Sequence, residues 1–176
     1  MNPLWLDLEM TGLDENIHNI LEIALMITDL DMNNLGEYHR IIHQPKEVLD
    51  LMDNWCKKTH GASGLLEMVP KGIPLHQAET EILELINKNY PKNERVILAG
   101  NSIWNDRRFI DRQMPELAKR LHYRMIDVSS FKEIFRNKFK VEYSKKNTHR
   151  APDDIHESIA ELKTYLSYFQ ISHTDR

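Results

Sequence analysis

Leu4-Trp5-Leu6-Asp7-Leu8-Glu9-Met10 alternates with the two-residue period of a β-strand, and two of its positions are acids. Successive strand side chains point to opposite faces, so Asp7 and Glu9 share one face while Leu6 and Leu8 share the other. Adjacent carboxylates repel, and each resists leaving water. A covered face holding both therefore needs a cation or a proton between them. The plainer alternative is an edge strand with one wet face, since charged residues protect sheet edges. The rest of the chain decides between the two.

Ile20 to Leu30 and Tyr38 to His43 read as two further strands, joined by the turn residues Asp31-Met32-Asn33-Asn34-Leu35-Gly36, so a hairpin or meander opens the fold. The pattern turns helical from about Lys46 to Lys58, with a turn at Gly61 to Gly64. Leu75, Ala78, Ile82, Leu85 and Ile86 then line one helical face ahead of Pro91. Val96-Ile97-Leu98-Ala99 reads as a buried strand leaving through Gly100-Asn101-Ser102. A helix follows from near Asn105 to before Pro115, and Tyr123 to Val128 is a fifth strand. Ser130 with Glu133 has the spacing of a capping box. The last helix starts near Pro152, with Ile155, Ile159, Leu162, Leu166 and Phe169 as its core stripe. Strands first, then alternating helices and strands, imply an α/β domain with a mixed sheet, one domain over 1–176.

Composition narrows the function. Lys plus Arg number 23 against 27 acids, a net charge of −4, which argues against coating long nucleic acid through a broad cationic surface. The basic pairs Lys57-Lys58, Arg107-Arg108 and Lys145-Lys146 are scattered and read first as solvated surface charge. One cysteine, Cys56, forms no intrachain disulfide and no thiolate zinc site. No apolar run reaches the ~20 residues that span a bilayer, and the N-terminus enters a strand without a signal-like segment, so a cytoplasmic protein is expected.

Two further groups of acids recur at element ends. Asp106 follows the exit turn of the fourth strand. Asp153-Asp154 opens the last helix, just after His149. Taken singly, each suits a helix dipole; together, three separated stretches deliver hard oxygen ligands, with a histidine beside the last.

Asp7-Leu8-Glu9-Met10-Thr11-Gly12-Leu13, Gly100-Asn101-Ser102-Ile103 leading to Asp106-Arg107-Arg108-Phe109, and His149-Arg150-Ala151-Pro152-Asp153-Asp154 occur in the order of three motifs. In them the chain resembles the DEDDh family of 3′→5′ exonucleases. Within that family, Leu51-Met52-Asp53-Asn54-Trp55 through Thr59-His60, and His122-Tyr123-Arg124 ahead of Asp127-Val128-Ser129, resemble the members that digest the shortest RNA fragments. Trp104 and Asn105 fall at variable positions of the second motif.

The resemblance implies a ribonuclease H-like fold, a mixed five-stranded sheet flanked by helices. It also implies a metal-dependent exoribonuclease that cuts short oligoribonucleotides, especially 5′-phosphorylated dinucleotides, to nucleoside 5′-monophosphates. Asp7, Glu9, Asp106 and Asp154 would hold two metal ions, with Asp7 bridging both, and His149 would be the general base. The family spacing selects Asp154 and leaves Asp153 to helix capping. Oxygen-only ligands suit Mg²⁺ or Mn²⁺. Leu13 would wedge between two bases, Trp55 would stack on one, and His60 is a further pocket residue. Ser102, Arg124 and Ser129 would cap the free 5′ phosphate, while Tyr123 reaches the neighbouring site of a homodimer. Read without the resemblance, Leu13 and Trp55 are core residues, and Tyr123 and Arg124 open an ordinary strand.

Three other functions compete. A polymer-degrading exonuclease would use long and short substrates alike. A haloacid dehalogenase-type phosphatase would carry a second aspartate where this chain has Glu9, and its partner motifs are not evident. A non-catalytic nucleic-acid-binding module would have no use for four clustered acids.

Overall fold

A computed structural model describes residues 1–144 and 149–169. Five strands form one mixed sheet in the order β3-β2-β1-β4-β5: β1 Leu4–Met10, β2 Ile20–Thr28, β3 Asn34–Ile41, β4 Val96–Gly100 and β5 Leu121–Asp127. β1 pairs antiparallel with β2, and β2 with β3, whereas β4 and β5 run parallel to β1. β1 is therefore central, not an edge, which leaves its two acids without the edge-strand explanation.

The helices are α1 Lys46–Asp50, α2 Asn54–Ala62, α3 Leu65–Met68, α4 Leu75–Asn89, α5 Trp104–Gln113, α6 Pro115–Arg120, α7 Val128–Ile134 and α8 Ala151–Leu166. None among the described residues is long and apolar enough to cross a membrane. Alternation in β1 splits the core in two. Leu4, Leu6 and Leu8 pack with Ala78, Ile82 and Ile86 of α4 and with Phe109 and Ile110 of α5. On the opposite face, Trp5 packs with Ile155, Ile159, Leu162 and Tyr165 of α8, and its indole N–H donates to Thr28 Oγ1 at 3.0 Å. Asp7 and Glu9 follow Trp5 by two and four residues, so they project on the α8 side.

Several expected boundaries move. The helix expected from Lys46 to Lys58 is two helices, because the Asp53 carboxylate accepts the Cys56 N–H at 2.7 Å and starts α2 afresh. The strands expected to end at Leu30 and to begin at Tyr38 end at Thr28 and begin at Asn34, so the connecting turn is shorter. The capping box at Ser130 is not used: Asp127 caps α7 by accepting the Ser129 N–H, which starts the helix earlier. Pro115 opens a further short helix, α6. At the end of α8, Tyr165 takes the core position, and Leu166 and Phe169 are exposed. The Lys145-Lys146 pair lies outside the described residues.

Gly100 marks where β4 passes close to β1. A Cβ there would meet the Leu6 carbonyl oxygen at 2.8 Å and Ile103 Cδ1 at 2.9 Å. Gly100→Ala is expected to destabilise the protein by about 1–3 kcal/mol, as overpacked interiors do, measured by urea denaturation. An unchanged midpoint would mean that the two strands separate without strain.

Candidate active site

Ligand oxygens of Asp7, Glu9 and Asp154 lie within 4.8 Å of one another, each on a partly exposed side chain. The strand period places the first two, and the start of α8 delivers the third. Burial lifts the Glu9 carboxyl to about 8 from its ordinary 4.5, reinforced by the negative charges of Asp154, Glu22 and Asp106 and eased by Arg150. Three hard oxygen donors on a proton-hungry carboxylate cluster fit a divalent cation that favours oxygen ligands.

Asp106 stands outside that group of three. Its carboxylate is buried at the start of α5 and accepts the Leu8 N–H at 2.9 Å, between the two acids of β1. Burial raises its proton affinity too, against the pull of that hydrogen bond. The structure therefore brings three of the four expected ligands together, with the fourth anchored to the strand that carries two of them.

His60 is not the open pocket residue expected. It is 1% exposed, and its Nε2 lies 2.9 Å from the Met10 carbonyl oxygen. A carbonyl only accepts, so Nε2 carries the proton and the neutral ring turns the bare Nδ1 toward Glu9 Oε2, 3.7 Å away. Burial depresses the His60 pKa, which keeps the ring neutral. The helical register of α2 that points His60 inward leaves Trp55 outward, 62% exposed. The Trp55 ring meets the ring of His149 edge-on, with centroids 5.8 Å apart. His149 has φ +53, a left-handed conformation costly for a residue with a side chain.

Leu13 is also exposed, not core, on the loop between β1 and β2. Arg108 ties that loop to α5: its guanidinium donates to the Leu13 carbonyl at 3.2 Å, pairs with Glu15 at 3.0 Å and covers the Trp104 ring at 4.8 Å. Asp127 gathers two of the expected phosphate contacts, with Oδ1 accepting from Ser102 N–H at 3.0 Å, Ser129 N–H at 2.9 Å and Ser129 Oγ at 2.6 Å. Tyr123 and Arg124 are exposed on the edge strand β5, the guanidinium 5.3 Å over the ring. Asp153 is not the N-cap of α8, a position held by Arg150, whose own side chain makes no capping bond; Asp153 is exposed on the first turn.

Sequence reasoning passed over Glu22 and Arg150. Glu22 faces Glu9 in the register of β1 and β2 and is fully buried. Burial alone would raise its pKa, but hydrogen bonds from His39, Arg150 and the Ala151 N–H hold it down at about 2. A lone acid inside Ile-Leu-Glu-Ile-Ala-Leu-Met-Ile-Thr was the available signal.

An acid cluster on the central strand of such a sheet suits a divalent metal, and the proteins this chain is similar to are exonucleases. Residues 4–162 match the RNase T-type family described as exonuclease. The E. coli exonuclease I–oligonucleotide complex superposes with a TM-score of 0.71 at 12% identity, covering 96% of this chain and 41% of that one. Exonuclease I from Methylocaldum szegediense gives 0.73 at 16%, covering 96% and 41%. These two share the fold, and this chain spans about two fifths of their length. Closer relatives are the oligoribonuclease of Vibrio parahaemolyticus, 49% identical over 93% of both chains, and the human mitochondrial oligoribonuclease, 48% identical over 92% of this chain and 70% of that one. The chain belongs to the oligoribonuclease family and is a hydrolytic 3′→5′ exonuclease.

The raised pKa of Glu9 fixes a sign. The folded, metal-free protein holds a proton on Glu9 that the unfolded chain releases near 4.5. Stability should therefore fall as pH rises from 4.5 toward 8, with Glu9 contributing at most about 1.4 kcal/mol per pH unit and the raised Asp106 adding to the decline. Glu22 titrates below this window and leaves it untouched. Denaturation in chelator between pH 5 and 8 should show this decline. Glu9→Gln should reduce it, leaving the part due to Asp106, and Mn²⁺ should oppose it most at the alkaline end; a slope unchanged in Glu9→Gln would assign it to another group.

Proposed function

We propose that this chain, a single exonuclease domain over 1–176, removes nucleotides from short RNA oligonucleotides, down to 5′-phosphorylated dinucleotides, by the DEDDh two-metal mechanism. The observation that carries this reading is the convergence of Asp7, Glu9 and Asp154, supported by relatives named oligoribonuclease. Two Mg²⁺ or Mn²⁺ ions bound there would activate water, neutralise charge at phosphorus and stabilise the leaving oxygen. Asp7, Glu9, Asp106 and Asp154 would hold them, Asp106 by turning from the Leu8 N–H or acting through a bound water.

His149 takes the proton of the attacking water on a ring nitrogen. The water oxygen bonds to phosphorus, the bond to the ribose 3′ oxygen breaks, and that oxygen gains a proton on leaving. The released product is a nucleoside 5′-monophosphate. Exposed Leu13 and Trp55 meet the bases, a base–aromatic contact contributing about 1–3 kcal/mol. The edge contact with Trp55 links base stacking to the position of His149.

Ser102, Ser129 and Arg124 receive the 5′ phosphate, and an arginine fork suits a terminal phosphate with its extra oxygen and charge. Tyr123, exposed on an edge strand, serves the site of a second subunit in a homodimer. His60, a further pocket residue in this reading, would act from beneath Glu9, its Nδ1 3.7 Å from Glu9 Oε2.

Substrate length is the direct test. The wild type should cleave a 5′-phosphorylated dinucleotide faster than a longer oligomer, and Arg124→Ala should lose most of that preference. Equal rates on both lengths by the wild type would favour a polymer-degrading exonuclease. For the base, His149→Ala should lower kcat by about 10²–10⁴-fold; a variant keeping the wild-type rate would remove His149 from the role.

A further inference from the structure

Glu22 is the only ionisable residue of β2 and lies wholly out of solvent. Arg150 Nε donates to both of its oxygens, at 3.0 and 3.2 Å, and Arg150 Nη2 to Oε1 at 2.7 Å. The Ala151 N–H reaches Oε2 at 3.1 Å, and His39 Nε2 lies 2.7 Å from Oε1. Both carboxylate oxygens are thus saturated, which an ion without water requires.

The donors come from two places, β3 and the turn into α8. On that turn, Arg150 follows His149 with its left-handed backbone, and the Arg150 carbonyl accepts the Asp154 N–H at 3.0 Å, in the first turn of the helix. Gripping the Arg150 side chain and the Ala151 amide fixes the peptide units on which His149 and Asp154 depend. The grip is applied from the strand residue opposite Glu9. A buried ion pair adds little net stability over an apolar pair of similar size, so its contribution here is geometric.

We propose that Glu22 and Arg150 are positioning residues: their buried fork sets where His149 and Asp154 stand relative to Asp7 and Glu9. The inference rests on the roles given above to His149 and Asp154. It predicts that the pair matters for turnover more than for folding.

The test is the full-length double variant Glu22→Met/Arg150→Met, which leaves no bare buried charge, beside Arg150→Lys, which keeps the charge and loses the fork. Chemical denaturation, kcat and KM on a 5′-phosphorylated dinucleotide, Mn²⁺ binding by electron paramagnetic resonance and hydrogen exchange are measured on each. Expected are cooperative unfolding near the wild-type midpoint, a kcat lower by about 10–100-fold with KM little changed, weaker Mn²⁺ binding, and faster exchange confined to residues 149–155. Arg150→Lys should show the same losses in smaller degree, and it carries the test if the double variant does not fold. Wild-type kcat and Mn²⁺ binding in either folded variant would overturn the clamp. His149→Ala and Asp154→Asn run in parallel: full turnover in both overturns the assignment beneath the clamp, whereas loss in both with full turnover in the clamp variants overturns the clamp alone.

Discussion

Negative charge is crowded onto one face of the sheet, and the surrounding structure is arranged around that crowding. Asp7 and Glu9 are forced together by the period of β1, Asp154 closes on them from α8, and Glu22 lies opposite Glu9 across the strand pair. At a few ångströms in a partly dehydrated setting, such repulsion amounts to several kcal/mol for each like-charged pair. The protein answers it unevenly. Glu22 is neutralised in place by Arg150 and ionises near 2, whereas Arg150 only eases Glu9, which holds its proton to about 8. Compensation is thus built in for the acid that organises the backbone and left open for the acid that faces the cleft.

The same division appears in the other carboxylates near the site. Asp106 spends an oxygen on the Leu8 N–H, and Asp127 spends one on three donors from Ser102 and Ser129. Each ties the chain end of one element to another, so acids hold α5 against β1 and the β4 exit against α7. Charge-assisted hydrogen bonds to backbone amides are short and directional, and suit this better than apolar contact. His60 extends the pattern with opposite polarity: its proton is committed to Met10 O, and only a lone pair is left for Glu9.

Much of the site was legible in the sequence because two periodicities are rigid. Period two puts Asp7 and Glu9 on one face in any strand, and a helix starting near Pro152 presents Asp154 in its first turn. Residues whose placement depends on competition between local signals were not legible. Asp53 breaks the expected long helix because its cap outbids continuation, and Asp127 caps α7 ahead of Ser130. His60 and Trp55 lie on one short helix with similar sequence claims on a pocket, and only the tertiary placement of α2, with Cys56 packed on Leu21 and His60 on the Met10 carbonyl, sends one inward and the other out. Glu22 was visible as an acid in an apolar run, but its meaning depends on Arg150, 128 residues away. Pairing at that separation leaves no local pattern.

A protein of net charge −4 with a carboxylate cleft repels a polyanion at a distance. Long nucleic acid is held mainly through many phosphate contacts that release counterions, a route this surface serves poorly. In the proposed reading, affinity comes instead from two uncharged contacts, exposed Leu13 and Trp55 against base faces, and from one arginine on a terminal phosphate. In that reading each further nucleotide adds a phosphate that a chain of net negative charge must hold. A preference for short substrates, in the proposed reading, draws on the net charge of the chain as well as on the arginine at the 5′ end.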